Sequence, residues 1–173
     1  QVPALLAWKT ALENVLVPVK LRQRVTNDDI AQGLRWLRLF GLEGFESRFP
    51  EQLSGGMQQR VALARLMMTG ASVRLLDEPF GSVDELTREH LNEQLAEVHE
   101  KTSSATVLIT HNIYEAVLLS DRVLVMTPRP GTMAADIRVP LPRPRTLDLV
   151  RSTDFTDITA QVRDNLVERG SHG

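Results

Sequence analysis

Cysteine is absent from the 173 residues, which excludes disulfides and thiolate sites and fits a reducing compartment. Long apolar runs are missing too. No stretch approaches the roughly 18 to 20 uninterrupted apolar residues of a membrane span, and no basic, apolar and small-residue leader pattern opens the chain. Contact with a bilayer is therefore expected to be indirect. An excess of one charge is also lacking: Lys+Arg number 20 against 22 for Asp+Glu, a formal net charge of -2. Nothing in that balance draws the chain to nucleic acid, so any phosphate chemistry must be local. With 42% hydrophobic and 24% charged residues, Gly 10 and Pro 9, collagen-like, disordered and low-complexity classes are excluded. What remains is a globular chain with room for one ordinary domain and a sizeable core. It starts at Gln1 with no initiator Met and runs straight into Val2 to Trp8, which reads as a piece of something longer.

Along the chain, residues 1 to about 50 read as a loop followed by small helices, with Pro18 and Pro50 as punctuation. The segment Asn27 to Gly41 puts Ile30, Leu34 and Leu37 on one helical face, with Asn27 or Asp28 placed to cap it and Gly41 to end it. The pattern then changes. Met57 to Thr69 predicts a helix, Val73 to Leu76 a buried strand, and Glu85 to about Lys101 a helix. Ala105 to Ile109 predicts a strand, Ile113 to Leu119 a helix, and Arg122 to Met126 another strand. Strands alternating with helices at this spacing predict a mostly parallel sheet covered by helices, with ligand groups in the loops at the strands' carboxyl ends. Beyond Thr127 the prolines allow an extended run from Ala134 to Val139, and Asp157 to Arg169 again has helical spacing.

Three blocks carry chemistry. In Leu53-Ser54-Gly55-Gly56-Met57-Gln58-Gln59-Arg60, two glycines after a capping Ser expose backbone N–H groups at a helix start, where the orphan donors and the helix dipole favour a phosphate. A plain cap and tight turn is the competing reading. In Val73 to Phe80 a short apolar strand ends in Asp77 and Glu78. On an extended segment neighbouring side chains point opposite ways, so Asp77 suits Mg²⁺ and Glu78 suits a base or water-orienting role toward a γ-phosphate. A solvated turn would have the same letters. In Leu108-Ile109-Thr110-His111 a His follows a second strand, able to donate to a phosphate oxygen, and Asn112 is placed to cap the helix carrying Glu115.

Taken in order, L-S-G-G-x-Q-Q-R, D-E-P, G-S-V-D and T-H before a helix closely resemble the nucleotide-binding subunit of an ABC transporter over roughly residues 1 to 145. The resemblance implies an α/β, P-loop NTPase-like fold, its sheet incomplete within these residues, with an ABC-type helical subdomain. It implies the helical part over 1–56, a RecA-like part over 57–145 and a helical tail over 146–173. It further implies that Ser54, Gly55, Gly56 and Gln58 belong to the signature that meets ATP held by a second copy. Asp77 becomes the Walker B acid binding Mg²⁺, Glu78 the catalytic glutamate, Asp84 part of the D-loop Gly81 to Asp84, and His111 the switch histidine. Gln1 becomes the Q-loop glutamine, also near the metal. The implied partners are a second ATPase subunit, transmembrane permease subunits and, indirectly, a solute-binding protein, on the cytoplasmic face of a membrane and without nucleic acid. Within the family the stretches Gln1 to Trp8, Glu115 to Val123 and Pro142 to Arg145 look most like importers of nitrate, sulfonates and taurine.

Four departures stand out. No G-x-x-x-x-G-K-[ST] segment occurs, so the loop and Lys that cradle the β- and γ-phosphates are missing, and these residues alone are expected not to hydrolyse ATP. Arg74 stands in the Walker B strand where an aliphatic residue is usual, and is expected near the strand's start with its stem reaching solvent. Asn112 replaces the acid usual after the switch His, and Val83 departs from the usual D-loop residue. Two other classes remain beside the importer ATPase. A soluble ABC-type ATPase of DNA repair or translation would bring coiled coils or a duplicated signature, and neither is seen; the other is a truncated or regulatory partner presenting only the signature face.

Overall fold

The computed structural model describes residues 4–81, 83–102 and 104–170. The chain forms two units, Gln1–Leu91 with Ser104–Val107, and Asn92–Ser103 with Leu108–Gly173.

The first unit begins with short helices, α1 (Ala11–Val15) and α2 (Val17–Lys20), followed by α3 (Asn27–Leu39) and α4 (Gly55–Met67). Thr10 and Glu13 cap α1 reciprocally, the Thr10 hydroxyl accepting from the Glu13 N–H and the Glu13 carboxylate from the Thr10 N–H. Pro18 lies in the first turn of α2, where its missing N–H costs nothing. The cap of α3 is Thr26, with Asp29 returning the bond, one residue ahead of the Asn27 or Asp28 expected. A Thr followed three residues on by an acid satisfies two orphan donors at once, which neither alternative does. Gly41 closes α3 with a positive φ of 65°.

Helices α1, α3 and α4 pack together around Ala11, Val15, Leu37, Phe40, Val61 and Ala64, all with no exposure. Gly33 allows the close crossing of α3 over α1, since a Cβ there would stand 3.1 Å from Leu12 Cδ1 and 3.3 Å from Leu16 Cδ2. Asn14, fully buried, holds the incoming loop: its Nδ2 donates to the carbonyls of Leu6, Lys9 and Thr10, and its Oδ1 accepts from the Leu6 N–H at 2.8 Å.

The chain then enters β1 (Val73–Asp77), α5 (Glu85–Lys101) and β2 (Ala105–Ile109). Strands β1 and β2 pair as a parallel sheet, joined by the helical crossover that parallel strands require. Residues Arg74 and Leu76 point inward, whereas Val73 is 58% and Leu75 73% exposed. This corrects two expectations. Only one face of β1 is covered, and Arg74 is on it at 5% exposure. Period-2 alternation puts position 74 on the same face as Leu76, and burial lowers the guanidinium pKa.

In the second unit, α6 (Ile113–Leu119) precedes β3 (Arg122–Met126), β4 (Met133–Arg138) and α7 (Thr153–Gly170). β3 and β4 are antiparallel, with Val123 opposite Ile137 and a bulge between Val125 and Met126. Their inward residues join Val117, Leu118, Val139, Leu141, Phe155 and Val162 in one core. Tyr114 meets Phe155 edge to face at 5.5 Å. Arg145, 2% exposed, ties this unit together: its Nη1 donates to the carbonyls of Val117, Leu118 and Ser120 at the end of α6, and its Nη2 to those of Val139 and Leu141. Among the described residues, no helix is long and apolar enough to cross a membrane.

Candidate functional site

The first candidate element is the start of α4. Pro50–Gln52 makes one 3-10 turn, Leu53 is buried, and Ser54 has the extended backbone of a cap, its Oγ accepting from the Met57 N–H at 3.2 Å. The N–H groups of Gly55 and Gly56 belong to the helix's unpaired first turn, and a Cβ at Gly55 would meet nothing within 4 Å. The turn is thus open and donor-rich, as an anion site requires. Gln58 faces the other way. Its Nε2 donates to the carbonyls of Pro50 at 2.9 Å and Leu53 at 3.2 Å, so it braces the loop leading into the helix. Arg60 likewise reaches back to the Phe40 carbonyl at 3.1 Å.

At the end of β1, Asp77 is the strand's last residue and exposed. Glu78 does not continue the strand. Its φ is +46°, a left-handed conformation that costs a non-glycine residue about 1–2 kcal/mol, and it precedes a proline that favours extended geometry. Strand alternation therefore stops at Asp77, and a strained turn sets the position of Glu78. The buried Pro79 and Phe80, the latter 1% exposed, anchor that turn, and the Gly81 N–H donates to the Glu78 carbonyl at 3.2 Å. The Glu78 carboxylate turns back over it, Oε2 standing 3.9 Å from where a Gly81 Cβ would be. Asp84 accepts from the Thr87 N–H at 3.0 Å. Its hydrogen bonds with the Thr87 hydroxyl and N–H hold its carboxyl below the usual range, and the charge of Arg60 adds to this.

In the second unit His111 lies beyond β2 and before α6, and is exposed. Asn112 caps α6, as expected, its Oδ1 accepting from the Glu115 N–H at 3.2 Å. Two residues that the motif reading left without a role join it. Thr110 donates its hydroxyl to Glu115 Oε2 at 2.8 Å, and the Asn112 N–H donates to the same Thr110 oxygen at 3.0 Å. The sequence signal for this was the Asn-x-x-Glu spacing of a capping box.

Gln1 lies outside the described residues. Among those described, no group of three or more His, Asp or Glu side chains gathers as a metal cage. A lone exposed Asp77 still fits Mg²⁺, which takes one or two carboxylates and completes its shell with phosphate and water. The open first turn of α4 fits a nucleotide phosphate.

Residues 1–81 match the ABC transporter family. The chain is 44% identical over 135 residues to the taurine import ATP-binding protein of Rhizobium johnstonii, covering 78% of this chain and 52% of that protein. It is 37% identical to an aliphatic sulfonates import ATP-binding protein of Bacillus cereus, covering 91% and 61%. To the nitrate import ATP-binding protein of Synechococcus elongatus it is 37% identical, covering 98% and 63%. The chain thus spans about half to three-fifths of these relatives' length. Among solved structures, the ATP-binding cassette MJ0796, a dimer in a post-hydrolysis state with ADP and Pi, superposes with a TM-score of 0.71 at 30% identity, covering 80% of this chain and 60% of that one. On sequence, motif order and fold, the chain belongs to the ABC transporter ATP-binding family.

Proposed function

We propose that these residues are the signature, Walker B and switch portion of an ATP-hydrolysing subunit of an ABC importer that takes up a small anionic solute such as nitrate, a sulfonate or taurine. The observation that carries this reading is the presence in one unit of both an open, donor-rich helix start at Ser54–Gly56 and a carboxylate pair whose second member, Glu78, is held in a strained turn. Strain of that kind persists where the surrounding structure imposes it, and gathers at active sites. The kinship to taurine, sulfonate and nitrate import proteins supports the solute class.

Bound ATP with Mg²⁺ supplies the γ-phosphoryl group and the cation that balances its charge. Asp77 holds the metal, with Gln1 beside it. Glu78 orients a water and accepts its proton. His111 donates a hydrogen bond to a γ-phosphate oxygen. Ser54 and the Gly55 and Gly56 N–H groups bind the nucleotide carried by a second ATPase subunit, Gln58 keeps their loop in shape, and Asp84 lies in the loop between subunits. The permease partners hold the assembly at the cytoplasmic face of the membrane and link it indirectly to a solute-binding protein.

The test uses a gene product that contains these residues together with a G-x-x-x-x-G-K-[ST] segment. Glu78→Gln is expected to abolish turnover while leaving ATP binding and ATP-dependent dimer closure intact. Normal turnover by that variant would remove Glu78 from the chemistry. A native product without such a segment would favour a regulatory partner presenting only the signature face.

A further inference from the structure

Glu115 is 3% exposed, and a carboxylate buried that deeply needs hydrogen-bonded partners. Three hydrogen bonds among Glu115, Thr110 and Asn112 form a cycle. Thr110 Oγ1 donates to Glu115 Oε2 at 2.8 Å, the Asn112 N–H donates to Thr110 Oγ1 at 3.0 Å, and the Glu115 N–H donates to Asn112 Oδ1 at 3.2 Å. In an ordinary capping box the Glu would take the cap residue's N–H directly. Here the Thr110 hydroxyl is interposed, and the cycle closes around the one residue between Thr110 and Asn112, which is His111.

His111 itself belongs to neither β2 nor α6 and is exposed. The cycle brackets it on both sides. A carboxylate accepting from the Thr110 hydroxyl makes a charge-assisted bond and polarises that hydroxyl as an acceptor for the Asn112 N–H. Loss of the Thr110 hydroxyl removes both its bond to Glu115 and the bond from the Asn112 N–H, and loss of the Glu115 carboxylate leaves the Asn112 N–H on a Thr110 hydroxyl that is no longer anchored, so either change takes a restraint from the turn around His111.

We propose that Glu115, acting through Thr110 and Asn112, is a positioning residue that sets the direction of the His111 side chain. This rests on the reading of His111 as the γ-phosphate contact. Misplacing a catalytic contact by about 1 Å costs on the order of 100-fold in rate, so the relay is a sensitive place to perturb.

The experiment compares steady-state ATP hydrolysis and thermal unfolding for the full-length subunit assembled with its partners. Thr110→Val keeps the shape and removes the hydroxyl; it and Glu115→Ala are each expected to lower kcat about 10- to 100-fold with KM for ATP within about twofold. Thr110→Ser and Glu115→Gln, which keep a donor and an acceptor, are expected to restore kcat to near wild type. The double variant Thr110→Val with Glu115→Ala should be no slower than the worse single one, as for groups that act in series. If Glu115→Ala does not fold, Thr110→Val and its Ser rescue decide the matter alone. His111→Ala is run in parallel. If it is inactive while Thr110→Val keeps the wild-type kcat, or loses only thermal stability, the relay is a helix cap and the positioning role is overturned. If His111→Ala itself turns over normally, the His111 reading fails first and takes this inference with it.

Discussion

Each unit is organised around one buried polar side chain, and the two solve the same problem differently. Asn14 is neutral and local: every bond it makes is to residues 6 to 10 of its own sequence neighbourhood. Arg145 is charged and distant, gathering carbonyls from residues 117 to 141. A neutral amide costs far less to desolvate than a charge, so its two N–H groups, shared among three carbonyls, and one accepted bond satisfy it. A guanidinium must overcome a much larger penalty, and it does so by collecting five carbonyls and, at 3.4 Å, the Asp121 carboxylate. Irregular backbone near a helix start is held by an amide, and the joint between α6 and the proline-rich tail is held by a cation.

The contrast predicts that losing the cation hurts more. Arg145→Ala is expected to destabilise the protein by about 3–5 kcal/mol, because five carbonyls lose a charged donor at roughly 1–3 kcal/mol each before the structure relaxes, read by urea denaturation. Asn14→Ala leaves the Leu6 N–H and the Lys9 carbonyl without the amide, while the Leu6 and Thr10 carbonyls keep the Lys9 and Asn14 N–H donors, an expected loss of about 2–3 kcal/mol. The reverse order would mean that solvent reaches the Arg145 cage when the side chain is cut back.

The pH dependence of the cage sharpens the comparison. Burial works against the charged form of Asp121, but the hydrogen bond and charge of Arg143, 2.7 Å away, together with Arg145, outweigh it and hold the carboxyl below its usual range. A folded-state pKa below the unfolded value means the stabilisation is present above the unfolded pKa, about 3.9, and fades as pH falls through the folded one. Asp121→Asn should therefore flatten the acid limb of the stability curve below about pH 4. At neutral pH it should cost only about 0.5 kcal/mol, because the side chain is largely exposed and screened. Asn14 carries no charge and should give no such limb.

The smallest effect is expected beside Asn14. Gly33→Ala gains about 1 kcal/mol of helix propensity but places a methyl 3.1 Å from Leu12 Cδ1. That neighbour is the end of a flexible side chain and can yield, so the net change should stay within about 1 kcal/mol. A larger loss, measured by thermal unfolding, would show that the amide holds α1 rigidly enough to transmit the crowding.

Elements with one dominant periodicity were legible in the amino acids. The bounds expected for α5, β2, α6 and β3 coincide with those found, because each is flanked by a strong cap, turn or polar break. Strand phase was not legible at β1. Alternation says that Arg74 and Leu76 share a face, but which face is covered depends on packing from distant sequence. At the candidate site, the Ser54 cap followed from composition alone. The left-handed Glu78 did not, since a residue before proline is expected to be extended. The relay around His111 was legible in part: the Asn112 cap and the Asn-x-x-Glu spacing are visible in the amino acids, whereas Thr110 becomes their partner only once β2 has turned into α6.

On the role proposed for Glu78, its geometry sets stability against turnover at a single codon. With φ at +46°, that position is one where glycine would relax the backbone, recovering part of the roughly 1–2 kcal/mol of left-handed strain. A library screened for heat tolerance alone would be drawn to replace Glu78 early, and the more durable variants it returned would carry the turn without its carboxylate. On that proposed role, selection has to score ATP consumption and melting temperature together, since either one alone favours a different residue at this position.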